Sequence, residues 1–132
     1  MFKQIVTPRF SETDALGHIG NTALPVWLEG ARQPIFRIFS PELNLKKWPL
    51  ILAKTEINFL GQLYYGSDVE IRTFIGKLGK SSFEVHQELW QNNSKCGLGI
   101  ATMVCFDFDT QKSRPISDAE RQKLSMHLDA NN

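Results

Sequence analysis

The residues best placed to do chemistry in this 132-residue chain lie between positions 9 and 21, Arg9-Phe10-Ser11-Glu12-Thr13-Asp14-Ala15-Leu16-Gly17-His18-Ile19-Gly20-Asn21. This segment puts a carboxylate (Asp14), a glycine-containing loop, a histidine (His18) and an asparagine (Asn21) directly before an apolar helix. The start of a helix offers unpaired N–H groups and about half a positive charge, which suits an oxyanion that develops during a reaction. Each residue also has an ordinary use. Asp14 serves as a cap or Asx-turn residue, His18 as a loop residue bonded to backbone, and Asn21 as the N-cap of the helix. A phosphate-binding glycine loop, HExxH, GxSxG and CxxC are all missing from the sequence, which removes the motif-borne nucleotide hydrolases, zincins, serine hydrolases and thiol oxidoreductases.

The elements around this segment follow from apolar spacing. Ile5, Val6 and Phe10 mark a short first strand, and a helix is predicted over about Thr22 to Phe39. On it Glu29, Arg32, Gln33 and Arg37 share a polar arc of roughly 140°, with only Val26 and Phe36 intruding; the other roughly 220° is apolar, so the helix is expected to be enveloped. Glu29 is expected to face solvent or to pair with Arg32. Pro25 falls in the first turn, but Pro34 is interior and predicts a kink or break near Gln33. After Pro49 the period changes to that of strands. Leu50 to Leu60 forms one run, Val69, Ile71, Thr73 and Ile75 a second, Phe83, Val85, Gln87 and Leu89 a third, and Leu98, Ile100, Thr102, Val104 and Phe106 a fourth. Turns at Gly66-Ser67-Asp68, Gly79-Lys80-Ser81 and Asn92-Asn93-Ser94 are too short for parallel crossovers, so the strands pair antiparallel. Ser117-Asp118-Ala119-Glu120 reads as a capping box opening a terminal helix over about 117–128, with Leu124 and Leu128 on one face. The predicted class is α+β, a strongly bent five-stranded sheet around one long helix.

At this length the chain is one domain, 1–132. Its 42% hydrophobic and 22% charged residues are those of a folded globular protein, and a formal charge of +1 gives no reason to expect nucleic acid or anionic lipid as partner. An apolar leader and a membrane-length run are both missing, so a cytoplasmic location is expected. Cys96 and Cys105 fall in one predicted strand at an odd separation, which points them to opposite faces; they are expected to be reduced thiols and not a zinc site.

The residues Thr13-Asp14, Gly17-His18-Ile19 and Asn21, followed by Leu28-Glu29 and Ala31-Arg32 on the helix, resemble the hotdog-fold acyl-CoA thioesterases, in particular the 4-hydroxybenzoyl-CoA thioesterase-like branch. Weaker matches at Gly66-Ser67-Asp68, Lys80-Ser81-Ser82-Phe83 and near Ala101 extend the resemblance over about residues 2 to 108. It implies a hotdog fold in which Asp14 is the catalytic carboxylate, acting on the thioester directly or activating water. By position, the backbone N–H around Asn21 would meet the oxyanion, with Gly20 letting the backbone approach closely, while His18 and the Asn21 side chain would position water or the carbonyl.

Lys80, Ser81 and Ser82 could hold the phosphates of CoA, although lysines also simply solubilise a turn. Trp27, Phe59, Tyr64 and Tyr65 are possible linings of an acyl pocket. Glu29 is a second carboxylate, because a helix glutamate is catalytic in another hotdog branch. The chain departs from the resembling family at Leu24, where an aromatic is common, at Pro25, and at Gly20, the first of a usual asparagine pair. The resemblance implies an acyl-CoA substrate without metal or redox cofactor, and a homodimer or dimer of dimers joined edge to edge with a shared site. Rival readings are an acyl-carrier-protein thioesterase, a hotdog dehydratase using His18, and a non-catalytic acyl-thioester-binding protein.

Overall fold

Four apolar runs follow one another in the chain and join a single antiparallel sheet, in which the last three pair in sequence and the first lies beside the last. The computed structural model describes residues 1–129. Its elements are β1 (Phe2–Val6), α1 (Ala23–Ala31), α2 (Gln33–Phe39), β2 (Leu50–Phe59), β3 (Val69–Leu78), β4 (Ser82–Gln91), β5 (Ser94–Asp107), β6 (Lys112–Ser113) and α3 (Asp118–Ser125). The sheet order is β1-β3-β4-β5-β2, with the two-residue β6 added beside β5, and every pairing is antiparallel. The sheet curls around the helices as a hotdog fold. Asn92 and Asn93 both adopt positive φ, 50° and 64°, the pattern of a two-residue hairpin turn that matches strand twist.

The predicted long helix is two helices. Pro34 has no N–H for the Gly30 carbonyl, and the chain tightens through Arg32 instead. The Arg32 amide bonds the Glu29 carbonyl at 3.1 Å, and the Ile35 amide bonds the Arg32 carbonyl at 2.9 Å. Nor is the helix enveloped. Ala23, Leu24, Trp27, Leu28, Ala31 and Ile35 are buried against the sheet, but Val26 on the other side is 66% exposed. Arg32, expected on the solvent arc, is only 5% exposed, because the tightened turn swings it toward the sheet.

Two further expectations change at β5. The inward row is Gly97, Gly99, Ala101, Met103 and Cys105, not the Leu98 to Phe106 row. The helix lies so close here that only small residues fit: a Cβ on Gly99 would stand 2.9 Å from Leu28 Cδ1. The cysteines do not face opposite ways either. Leu89 pairs with Gly97 and Trp90 with Lys95, so Cys96 is an extra, bulged residue that shifts the parity. Both thiols are free and buried, in separate core clusters.

The capping box forms as expected, with Ser117 Oγ accepting from the Glu120 amide at 3.2 Å and a Glu120 carboxylate oxygen accepting from the Ser117 amide at 3.0 Å. Leu124 is fully buried, but Leu128 lies beyond the helix. There the chain runs beside β3, with the Asp129 amide donating to the Ile75 carbonyl at 2.7 Å. Phe10, placed at the end of the first strand, belongs to a 3₁₀ turn over Phe10–Glu12.

One buried amide ties helix to sheet. Gln87 of β4 is 1% exposed; its Nε2 donates to the Leu28 carbonyl at 2.9 Å and lies 3.1 Å from Thr73 Oγ1, while its Oε1 accepts from Arg32 Nη1 at 3.3 Å. Replacing Gln87 with leucine leaves these groups buried without partners. Gln87→Leu is expected to lower unfolding free energy by about 2–4 kcal/mol in urea titrations, and a loss well below that range would show that the amide is not a tether.

Candidate active site

The loop before α1 is built by its own backbone. Thr13 and Ile19 form an isolated antiparallel bridge, the Asp14 amide donates to the His18 carbonyl at 2.7 Å, and Gly17 sits at the turn with φ +80°, where a side chain is disfavoured. Inside this turn Asp14 Oδ1 accepts from the amides of Leu16 at 2.8 Å and His18 at 3.0 Å. Its other oxygen, Oδ2, faces His18 Nδ1 at 3.6 Å, and the side chain is 44% exposed. The Asx-turn role and an available carboxylate oxygen therefore belong to the same residue.

Three contacts fasten the loop to the β2–β3 connection. The Ile19 amide bonds the Leu63 carbonyl at 2.8 Å, the Tyr65 amide bonds the Gly17 carbonyl at 3.2 Å, and the His18 ring meets Tyr64 edge-on at 5.1 Å. The segment around Tyr64 is held in turn by Gln91 at the end of β4, whose amide exchanges hydrogen bonds with the Tyr64 backbone at 2.8 and 2.9 Å and donates to the Ser67 carbonyl at 2.9 Å. Gln91 was not among the predicted site residues. Its signal was a polar residue next along the inward row of Phe83, Val85, Gln87 and Leu89.

Glu12 fastens the loop to the helix. One carboxylate oxygen accepts from the Arg9 amide and the other from Trp27 Nε1, each at 2.7 Å. Nothing in local spacing announced this pairing, which joins residues 15 positions apart. Trp27 is consequently a buried anchor, whereas Phe59, Tyr64 and Tyr65 are about half exposed. Phe10 and Leu16, 76% and 77% exposed, stand on the same loop, and Phe10 meets Tyr65 edge-on.

At the helix start the residue in the N-cap position is Thr22, not Asn21, and its side chain makes no capping bond. The Gly20 amide donates to the Glu12 carbonyl at 2.8 Å, so it does not serve as an oxyanion donor in this geometry. A Cβ at Gly20 would make only an ordinary 3.5 Å contact with that carbonyl, so the expected close approach is not what calls for glycine. Among the described residues the amides of Asn21 and Thr22 have no acceptor. Lys80, Ser81 and Ser82 lie elsewhere. They form the β3–β4 turn, whereas the Asp14 loop is tied to the far end of β4 at Gln91, nine strand residues away or about 30 Å. Glu29 is exposed and lies beyond ion-pair distance of Arg32. Among the described residues no group of three or more His, Cys, Asp or Glu comes together as a metal site.

The curled sheet thus carries a loop with one open carboxylate oxygen that leads into a helix whose first amides are unpaired among the described residues. Residues 8–124 match the model of the thioesterase-like superfamily, and the chain belongs to that family; it is a thioester hydrolase. A predicted thioesterase from Bacillus stearothermophilus is 42% identical with a TM-score of 0.92, the match covering 96% of both chains. A thioesterase from Thermus thermophilus, complexed with coenzyme A and Zn, is 24% identical, covers 92% of this chain and 95% of its own, and shares the fold at a TM-score of 0.82. The uncharacterized protein YsmA of Bacillus subtilis (strain 168) is 26% identical over 121 residues, 90% of this chain and 82% of its own. Among the described residues no helix is long and apolar enough to cross a membrane.

Burial raises the pKa of Glu12, but its hydrogen bonds from the Arg9 amide and the Trp27 indole and the charge of Arg9 outweigh that, and the pKa is lowered. A lowered carboxylate pKa contributes stability that is complete above the unfolded value and disappears as pH falls through the folded one. Glu12→Gln is therefore expected to cost about 1–3 kcal/mol at pH 7, with the gap to wild type closing as pH drops below the ordinary carboxylate range. Urea midpoints measured across that range check it; a gap that stays constant with pH would remove the charge from the interaction.

Proposed function

We propose that the protein is an acyl-CoA thioesterase in which Asp14 is the catalytic carboxylate. The observation that carries this reading is the division of labour at Asp14, with one oxygen anchored by two amides and the other left open beside His18. The Oδ2 atom attacks the thioester carbonyl or takes a proton from an attacking water. In either case the carbonyl becomes a tetrahedral oxyanion. The Asn21 amide, joined by that of Thr22, is the donor placed to meet it. His18 and the Asn21 side chain orient the water. Collapse breaks the C–S bond, and the thiolate leaves and takes a proton. Where water attacked, the free acid and CoA form directly; where Oδ2 attacked, the resulting Asp14–acyl anhydride is hydrolysed by water to the free acid and the regenerated carboxylate. Side chains, backbone amides and water are the groups this mechanism uses.

Lys80, Ser81 and Ser82 are the residues we assign to the CoA phosphates of the substrate. Their side chains make no hydrogen bond or ion pair among the described residues, and a thioesterase of the same fold is complexed with coenzyme A. Asp14 and Lys80 stand at opposite ends of the sheet, so one substrate reaches both only across two copies. Edge strand β2 supports that arrangement. Its residues are largely exposed on both faces, including Ile51 at 44% and Leu52 at 43%. A two-fold pairing of β2 with β2 runs the strands antiparallel and brings the Lys80 end of one copy beside the Asp14 end of the other. We place the protein in the cytoplasm, consistent with two free, buried thiols, of which burial pushes Cys105 up to about 11.

Asp14→Asn keeps the oxygen that accepts from Leu16 and His18 but loses the charge. Thiol release from a panel of acyl-CoAs is expected to fall about 10²–10⁴-fold in this variant with an unchanged melting temperature, and turnover equal to wild type would sink the assignment of Asp14. In sedimentation the chain is expected at twice its 15.0 kDa mass or at a further multiple. Leu52→Lys is expected to shift it toward monomer and to lower thioester hydrolysis in parallel. A fully active monomer would refute the shared site.

A further inference from the structure

Between the α1–α2 face and β2 lies a half-open cavity of about 680 Å³. Its walls are mainly apolar, with Phe36, Trp48, Leu50, Leu52 and Met103 among them, and the size is that of a small-molecule site. Arg32 also lines it. This side chain is only 5% exposed, yet no carboxylate lies within 4 Å of its guanidinium among the described residues. Its five N–H donors make one hydrogen bond, the long 3.3 Å contact with Gln87, and Nε has no partner. A buried cation without a counter-charge is costly, and a guanidinium is shaped to take a carboxylate through two donors. Glu29, exposed at the rim, acts on Arg32 only through space from beyond 4 Å and offers it no hydrogen bond.

The cavity runs from Val26 on α1 toward the Leu50 end of β2. Val26, at one end of it, stands one turn into the helix whose first amides face the carbonyl. From Thr22 to Arg32 is about 15 Å along the helix axis, and helical side chains lean back toward the N-terminus, which shortens the gap to the length of a medium acyl chain.

We infer that this cavity takes the acyl part of the thioester and that Arg32 selects acyl groups ending in a carboxylate, an inference that rests on the thioesterase reading above. The apolar walls hold the methylenes, and the terminal carboxylate supplies the close, hydrogen-bonded partner that the distant Glu29 does not. A plain acyl chain of the same length fills the walls but leaves the guanidinium unpaired.

The test compares adipyl-CoA with hexanoyl-CoA, which share a chain length and differ in the terminal group. The wild-type protein is expected to prefer adipyl-CoA in kcat/KM by about tenfold or more, and the same preference is expected in binding to Asp14→Asn. Arg32→Met is expected to abolish the preference while keeping hexanoyl-CoA hydrolysis. Arg32→Lys, with the charge but not the fork, is expected to fall between. Equal or better use of hexanoyl-CoA by the wild-type protein overturns the inference without needing any variant to fold. So does an equal loss on both substrates in Arg32→Met or Arg32→Lys, the mark of a merely structural arginine. Hydrolysis of both thioesters without preference overturns this inference alone, whereas no release of thiol and no binding of either overturns the thioesterase reading with it.

Discussion

Leu28 rests where residue 99 has no side chain, and the seating of α1 on β5 at that point governs what surrounds it. With 2.9 Å between Leu28 Cδ1 and the position of an added Cβ, the helix is as close to the sheet as a glycine allows. The Gln87 amide, bonded to the Leu28 carbonyl, holds the same residue from the backbone side. A helix pinned there carries Trp27 within reach of Glu12, and Glu12 in turn holds the 3₁₀ turn that precedes Asp14. The Asp14 loop therefore borrows its position from a packing contact in the middle of the sheet.

This explains which parts of the architecture were legible in sequence. The antiparallel pairing of β3, β4 and β5 follows from turn length, whereas the placing of β2 beside β5 does not. The inward rows of β3 and β4 follow from alternation, because Val69 to Ile75 and Phe83 to Leu89 face a core that accepts large side chains. The same rule chose the wrong face of β5. There the core side is Gly97, Gly99 and Ala101, small because a helix lies on them, and the bulkier Leu98, Ile100 and Val104 turn outward. Periodicity reads size and polarity, and it cannot tell a strand packed under a helix from one facing open core. The bulge at Cys96 is equally silent in composition, since it arises from a two-against-one mismatch with β4. Pro34 did announce its break, but it gave no sign that the tightened turn would bury Arg32.

At the site, type and spacing led to Asp14 and His18, and the structure brings these two together within one turn. A single-residue reading had set the Asx turn against catalysis as alternatives. A carboxylate has two oxygens, and here the turn uses only one. Anchoring Oδ1 fixes the direction of Oδ2 without consuming it, which is the preorganisation a reacting group needs. The Asn21 amide, expected at the helix start, is open together with that of Thr22, whereas Gly20 turns its own amide back to Glu12 because helix starts are set by backbone geometry. Glu12 and Gln91, which hold the loop from two directions, act through tertiary contacts that local sequence does not encode.

The near-zero net charge constrains the rest of the molecule. A formal charge of +1 provides no strong overall field to gather an anionic ligand, so each negative group on a substrate has to be met by a particular side chain. Lys80 lies in an exposed turn, where its charge is solvated and adds little beyond attraction at close range. Arg32 is the opposite case, a cation taken out of water and left without a carboxylate. Desolvation makes such a group far more discriminating than an exposed lysine, because it gains most from the ligand that restores its missing hydrogen bonds and loses most from one that does not. On the proposed roles the two cations would divide recognition by burial, the exposed one toward large, hydrated phosphates and the buried one toward a single terminal group at the end of an apolar chain.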